Sequence, residues 1–168
     1  MEQGRRSFLK SAGAALAAGP VFVLRRAWGA NSRPAYGVIG AGGRGRWLSR
    51  TFQELGAQCV ALCDVYAPNL DQARTESPTD AKAYVDYREL LEQPGIDFVV
   101  IATPDHQHRP NLLAALEAGK DVYLEKPLSL NLEESDEMVR AVRKTKQIVQ
   151  IGMQRRSMPF IWRAKSLI

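Results

Sequence analysis

Three glycines in the string Gly40-Ala-Gly42-Gly-Arg-Gly45 constrain this chain more than any other feature. They come directly after the short apolar run Ala35–Ile39. They open the stretch Gly43–Leu55, where Trp47, Leu48, Thr51 and Leu55 fall at helical spacing before Gly56. The string fits G-x-G-x-x-G, the turn that joins a buried strand to a helix. In such a turn the first glycine permits the tight reversal. The second lets the backbone approach a pyrophosphate, and the third lets helix and strand pack closely. The N–H groups of the helix start then face an anion.

Beyond the turn the same alternation repeats. Apolar runs at 58–64, 83–85, 98–101, 121–124 and 148–151 read as strands. Segments 68–73, 87–92, 110–118 and 132–144 between them read as helices, with Asp86 placed to cap the second and Gly119 to end the third. Pro94-Gly95 reads as a turn, and Pro159 opens a last helical stretch with Ile161, Ala164 and Ile168 on one face. Continuously apolar strands alternating with helices call for an α/β fold, a parallel sheet covered by helices on both faces. Cys59 and Cys63, four apart on one strand, would stand ~13 Å apart. A disulfide cannot span that, so they read as small buried hydrophobes.

Ligands of such sheets lie outside the C-terminal ends of the strands, and three such ends carry polar residues. Asp64 lies 19 residues after Gly45, at the end of the second strand. An acid there hydrogen-bonds an adenosine ribose and repels a 2′-phosphate, which favours NAD over NADP. Arg44 in the loop could instead pair with a 2′-phosphate, which leaves NADP open. The same loop and acid also suit S-adenosylmethionine, so these residues alone leave a methyltransferase open. At the third clear strand end stands Ala102-Thr-Pro-Asp-His-Gln-His108, where Thr103 and Pro104 form a turn and His106 and His108 point into the crevice or to solvent. No third metal ligand accompanies the two histidines, so no metal is expected. Glu125-Lys126-Pro127 closes the next strand and could set a positive charge near a nicotinamide or a substrate hydroxyl. Pro127 admits a cis bond.

Net charge is +5 over 168 residues, but it sits at the two ends. Residues 1–30 hold five basic side chains against Glu2, and residues 151–168 hold four basic side chains and no acid. The 120 residues between them carry a net charge of −3, which argues against nucleic acid as a partner. At the N-terminus, Gly4-Arg-Arg-Ser-Phe-Leu-Lys10 precedes an uncharged run from Ser11 to Leu24. That run is shorter than the ~20 residues of a membrane span and has the length of a signal-peptide core. The Arg-Arg-x-Phe-Leu-Lys string closely resembles the bacterial twin-arginine signal, with a cleavage site read at Ala27-x-Gly29. Residues 1–30 are thus expected to be a signal for folded export to the periplasm, and their removal leaves a net charge of +1.

Three strings together carry a wider resemblance: Gly40-Ala-Gly-Gly-Arg-Gly45, Ala102-Thr-Pro-Asp-His-Gln-His108, and Ala118-Gly-Lys-Asp-Val-Tyr-Leu-Glu-Lys-Pro127 with Glu133 a few residues on. From about Arg33 onward the chain resembles the N-terminal domain of the glucose-fructose oxidoreductase/inositol dehydrogenase/MocA family. Gly152-Met-Gln-Arg-Arg156 resembles an exported bacterial subgroup. This displaces the methyltransferase reading. The resemblance implies a Rossmann-type doubly wound sheet over 31–152. It assigns the pyrophosphate to Gly40, Gly42 and Gly45 and the ribose to Asp64. It places Thr103, Pro104 and His108 along the cofactor, Glu125 and Lys126 by the nicotinamide ribose and ring, and Gln154 near cofactor or substrate. Lys126 is the implied catalytic residue, assisting proton movement at a substrate hydroxyl. Asp105 departs from the asparagine common in the family.

The implied reaction is hydride exchange between NAD, or NADP, and a sugar or polyol carbinol. Some relatives are instead NAD-dependent glycoside hydrolases, and a non-catalytic nucleotide-binding module is a third reading. Full-length members continue into a second α/β domain that holds most substrate contacts and commonly forms a homo-oligomer. Residues 153–168 read as the start of the connection to that domain, and this chain, read as truncated, is expected to be inactive alone.

Overall fold

The computed structural model describes residues 33–77 and 80–167. The segment expected to be an export signal, its expected cleavage site and Ile168 lie outside the described residues.

Six strands, β1 (Ala35–Ile39), β2 (Gln58–Cys63), β3 (Lys82–Tyr84), β4 (Phe98–Ile101), β5 (Asp121–Glu125) and β6 (Val149–Gly152), form one sheet. Their order is β3-β2-β1-β4-β5-β6 and every neighbouring pair is parallel. Among the described residues six helices accompany them: α1 (Gly43–Glu54), α2 (Ala67–Glu76), α3 (Tyr87–Leu91), α4 (His108–Glu117), α5 (Leu132–Arg143) and α6 (Pro159–Lys165). The Rossmann-type expectation therefore holds. The order reverses at β1, so the chain leaves β1 for β2 on one side and returns to β4 on the other. That reversal opens a crevice between the loops after β1 and β4.

The two faces of the sheet bury separate cores. Leu48 of α1 with Leu70 and Ala73 of α2 packs on Tyr36, Val38, Leu62 and Val100. Leu90 and Leu91 of α3, Leu112 and Leu116 of α4 and Met138 of α5 pack on Ile39, Val99, Ile101, Val122 and Leu124. Alternate residues of each strand face opposite ways, and apolar side chains on both faces explain the unbroken apolar runs. Tyr36 anchors α1: its hydroxyl donates to Ser49 O at 2.7 Å, and its ring stacks on Phe98 at 5.2 Å. In contrast α6 buries no residue; Phe160 and Trp162 are exposed.

Two helices begin earlier than their prolines indicated. α2 starts at Ala67 and α4 at His108, so Pro68 and Pro110 lie inside the first turn. First-turn N–H groups have no intrahelical acceptor, so proline costs nothing there. Asp86 caps α3 as expected, accepting from Arg88 N at 2.9 Å.

Cys59 and Cys63 are buried and neither is in a disulfide. Burial, with Asp64, Asp86 and Glu89 adding repulsion, pushes the Cys63 thiol up from 9.0 to about 12. Burial pushes Cys59 and Tyr36 the same way. The unfolded chain releases these protons at lower pH than the folded one. Their contribution to stability is thus present below the ordinary thiol value of 9.0 and lost as pH climbs toward 12. Urea midpoints should fall steadily across that window, and native thiols should resist alkylation at pH 8. A flat alkaline profile would contradict this.

Candidate functional site

The loop after β1 is built by contacts that only glycine allows. Gly40 has φ +89, a left-handed conformation that side chains rarely adopt, and its N–H donates to Cys63 O at 2.8 Å. On the other side Ala102 N donates to Ile39 O at 2.9 Å, so the loop is stitched to the ends of both neighbouring strands. A β-carbon on Gly45 would lie 1.9 Å from Gly40 O, so α1 crosses the loop in direct backbone contact. A β-carbon on Gly42 would meet nothing closer than Asn69 Nδ2 at 3.6 Å, so it would fill open space above the turn. The first turn of α1 has no side-chain cap and no acid, which leaves its N–H groups for an external anion. This open cradle fits a dinucleotide pyrophosphate.

Asp64 stands one residue beyond β2. Its Oδ1 accepts from Tyr66 N at 2.9 Å and its Oδ2 from Asn69 Nδ2 at 3.1 Å. These bonds orient the carboxylate and leave further lone pairs for ribose hydroxyls. Gly40, Asp64, Val85, Tyr87, Thr103 and Pro104 border one pocket of about 520 Å³ beside the glycine loop. That is the place and size for an adenosine.

The loop after β4 turns at Pro104, passes through a single 3-10 turn at Asp105–Gln107 and enters α4 at His108. His106 is exposed, while His108 is 1% exposed and faces neither crevice nor solvent. Its Nδ1 lies 2.6 Å from Pro127 O and its Nε2 3.0 Å from Thr103 O. The tight turn points His108 inward, where it ties the loop after β4 to the loop after β5. Thr103 is also held by its hydroxyl, which accepts from Asn111 Nδ2 at 3.1 Å.

At the end of β5, Glu125 is buried and Lys126 exposed, and the Lys126–Pro127 bond is cis. Arg44 does not lie on the Asp64 side. Its Nε and Nη2 both donate to Glu125 Oε1, at 2.8 and 2.5 Å. Glu125 and Asp64 stand three strand spacings apart, roughly 14 Å, so Arg44 points away from the place of a 2′-phosphate. Glu125 itself is covered rather than open to a ribose. The Lys126 ammonium takes part in no hydrogen bond or ion pair among the described residues. Gln154 is exposed beyond β6 and borders a different pocket, of about 820 Å³, with Tyr123 and Trp162. Among the described residues no group of three His, Cys, Asp or Glu is placed to hold a metal ion.

A family model for oxidoreductases with an NAD-binding Rossmann fold, Gfo/Idh/MocA, matches residues 35–153. The chain belongs to this family. The Gfo/Idh/MocA relatives it resembles include an inositol 2-dehydrogenase/D-chiro-inositol 3-dehydrogenase of Halalkalibacterium halodurans. That protein is 36% identical over 124 residues, 72% of this chain and 36% of the relative. A scyllo-inositol 2-dehydrogenase (NAD(+)) of Bacillus subtilis is 39% identical over 113 residues, 67% of this chain and 33% of the relative. The structure of myo-inositol dehydrogenase from Lactobacillus casei, in complex with NAD(H) and myo-inositol, superposes with a TM-score of 0.75 at 31% identity. It covers 81% of this chain and 41% of that one. The chain thus spans about a third of the length of its curated relatives.

Asn69, Tyr66, Asn111 and Val85 belong to the site without a motif that marks them. Asn69 carries a usable signal, five residues after the acid in the first turn of α2. Asn111 carries none, being a buried polar residue between Pro110 and Leu112 in α4.

Proposed function

We propose that this chain is the cofactor-binding part of an oxidoreductase that exchanges hydride with a sugar or polyol hydroxyl, an inositol-like ring among the candidates. Export of the folded protein through the twin-arginine machinery to the periplasm belongs to the same proposal. It rests on the Arg-Arg-x-Phe-Leu-Lys string, the uncharged run from Ser11 to Leu24 that follows it and the small residues at Ala27-x-Gly29. No helix among the described residues is long and apolar enough to cross a membrane.

One observation carries the enzymatic reading. An open pyrophosphate cradle, an oriented Asp64 and an unpaired Lys126 ammonium stand on loops at the same end of the sheet. When bound, NAD supplies a two-electron acceptor at its nicotinamide. The glycine loop and the start of α1 hold its phosphates. Asp64 holds the adenosine ribose, and the pocket beside Thr103 shelters the base. The Lys126 ammonium would donate a hydrogen bond to the substrate oxygen and steady the charge on it as the carbon is oxidised.

Calorimetry tests this on the 168-residue chain. NAD should bind, and NADP should bind at least about tenfold more weakly. Each unit charge of a 2′-phosphate set about 4 Å from the Asp64 carboxylate costs about 1 kcal/mol even in water. Asp64→Ser should narrow the gap. Absence of heat with millimolar NAD would overturn the proposal, and equal affinity for the two nucleotides would overturn the role of Asp64.

A further inference from the structure

We infer that Arg44 is a positioning residue for Lys126, acting through the buried carboxylate of Glu125, and by that route fixes the nicotinamide half of the cofactor. The inference rests on the cofactor reading above and adds a residue that links its two halves.

Glu125 is 4% exposed. A carboxylate so buried must be paired and hydrogen-bonded. Arg44 gives it two N–H donors on Oε1, and the backbone N–H of Lys126 gives Oε2 a third at 3.2 Å. The carboxylate is therefore a link: a guanidinium on one side, the peptide of Lys126 on the other. The guanidinium is steadied in turn over the Trp47 ring, 4.4 Å from its centroid.

The surroundings are shaped for this link. A β-carbon on Gly152 of β6 would lie 3.0 Å from Glu125 Oε1 and 2.7 Å from Tyr123 Oη. The bare glycine leaves the room that the carboxylate occupies. One residue further along β5's loop, Pro127 O meets His108 Nδ1 at 2.6 Å. The backbone of Lys126 is thus gripped from both sides while its ammonium stays free.

Arg44 belongs to the turn that cradles the phosphates, and its side chain spans β4 to reach the end of β5. Phosphate loop and lysine are therefore held in one frame. Loss of Arg44 leaves Glu125 buried without its counter-charge. The carboxylate must then turn toward water, and Lys126 N–H loses a charged acceptor. The adenosine end, placed at Asp64 and the pocket beside Thr103, has no part in this link.

The test compares NADH, whose emission reports the nicotinamide surroundings, with ADP-ribose, which lacks that ring. In the unsubstituted chain NADH emission should strengthen and move to shorter wavelength on binding, and ADP-ribose should compete. In Arg44→Met and in the isosteric Glu125→Gln, ADP-ribose should lose far less affinity than NADH. NADH should bind about fivefold or more weakly and lose at least half its emission change. The double variant should be no worse than either single one, and Arg44→Lys should recover part of the signal. A merely structural pair would lower the melting temperature and weaken both ligands by one factor, which would overturn the inference. So would an unchanged NADH signal in Arg44→Met, or effects that add in the double variant. Failure of the unsubstituted chain to bind ADP-ribose would instead count against the cofactor reading itself.

Discussion

Gly45→Ala should cost on the order of 3 kcal/mol of stability, lower the melting temperature by on the order of 10 °C, and abolish measurable NAD binding. The new β-carbon would sit 1.9 Å from Gly40 O and 3.0 Å from Gly40 C. Neither partner can retreat cheaply. Gly40 is held to Cys63 O and the loop to Ala102 N, while α1 is held by Leu48 in the core and by the Tyr36–Ser49 hydrogen bond. Relief therefore needs α1 to lift off the sheet, which moves the N–H groups that face the phosphates. Gly43→Ala is the control, because a β-carbon there meets nothing within 4 Å. It should be neutral or slightly stabilising, by up to about 1 kcal/mol. Thermal melting of both variants with and without NAD separates the contributions. A Gly45→Ala protein that melts like Gly43→Ala would refute the close-approach argument.

His108→Ala should be nearly as damaging, at about 3 kcal/mol. It removes a fully buried ring whose two nitrogens stand against Thr103 O and Pro127 O, and takes away the N–H that one of these carbonyls accepts. The loss is local in a useful way. Without the bracket, the loops after β4 and β5 part company, so amide hydrogen exchange at residues 126–130 should quicken far more than at the core strands. Uniform acceleration over the whole sheet would mean that His108 is only a core residue. An unchanged urea midpoint would mean that the ring's contacts with the two loops contribute nothing.

Much of the fold is legible in periodicity, because each central strand is buried on both faces and so appears as a continuous apolar run. Phe98–Ile101 is the clearest case. Ends are harder. Pro68 and Pro110 look like helix starts because proline bars the helix interior, yet each sits in a first turn that tolerates it. For the site, residues that act through backbone geometry are legible: the glycines have a fixed spacing and Asp64 a fixed offset. Side chains that act through long-range partners are not. Arg44 and Glu125 are 81 residues apart in sequence, and nothing local says that the arginine turns toward β5 and not toward Asp64. His108 has the same difficulty, since its partner Pro127 is reached only through the sheet.

The pairing of β1 with β4 sets residues 36–39 beside residues 98–101. About half of the folded domain's sequence must therefore be in place before the loop after β1 finds the loop after β4. No early folding intermediate that lacks this central pairing can contain the crevice. A ligand that fits the crevice then binds the finished fold and not its precursors. Its whole binding free energy falls on the native side of the unfolding equilibrium, about 2.7 kcal/mol at a hundredfold excess over Kd. Under the folded export proposed above, a ligand acquired at the last folding step would also serve as the seal on that step.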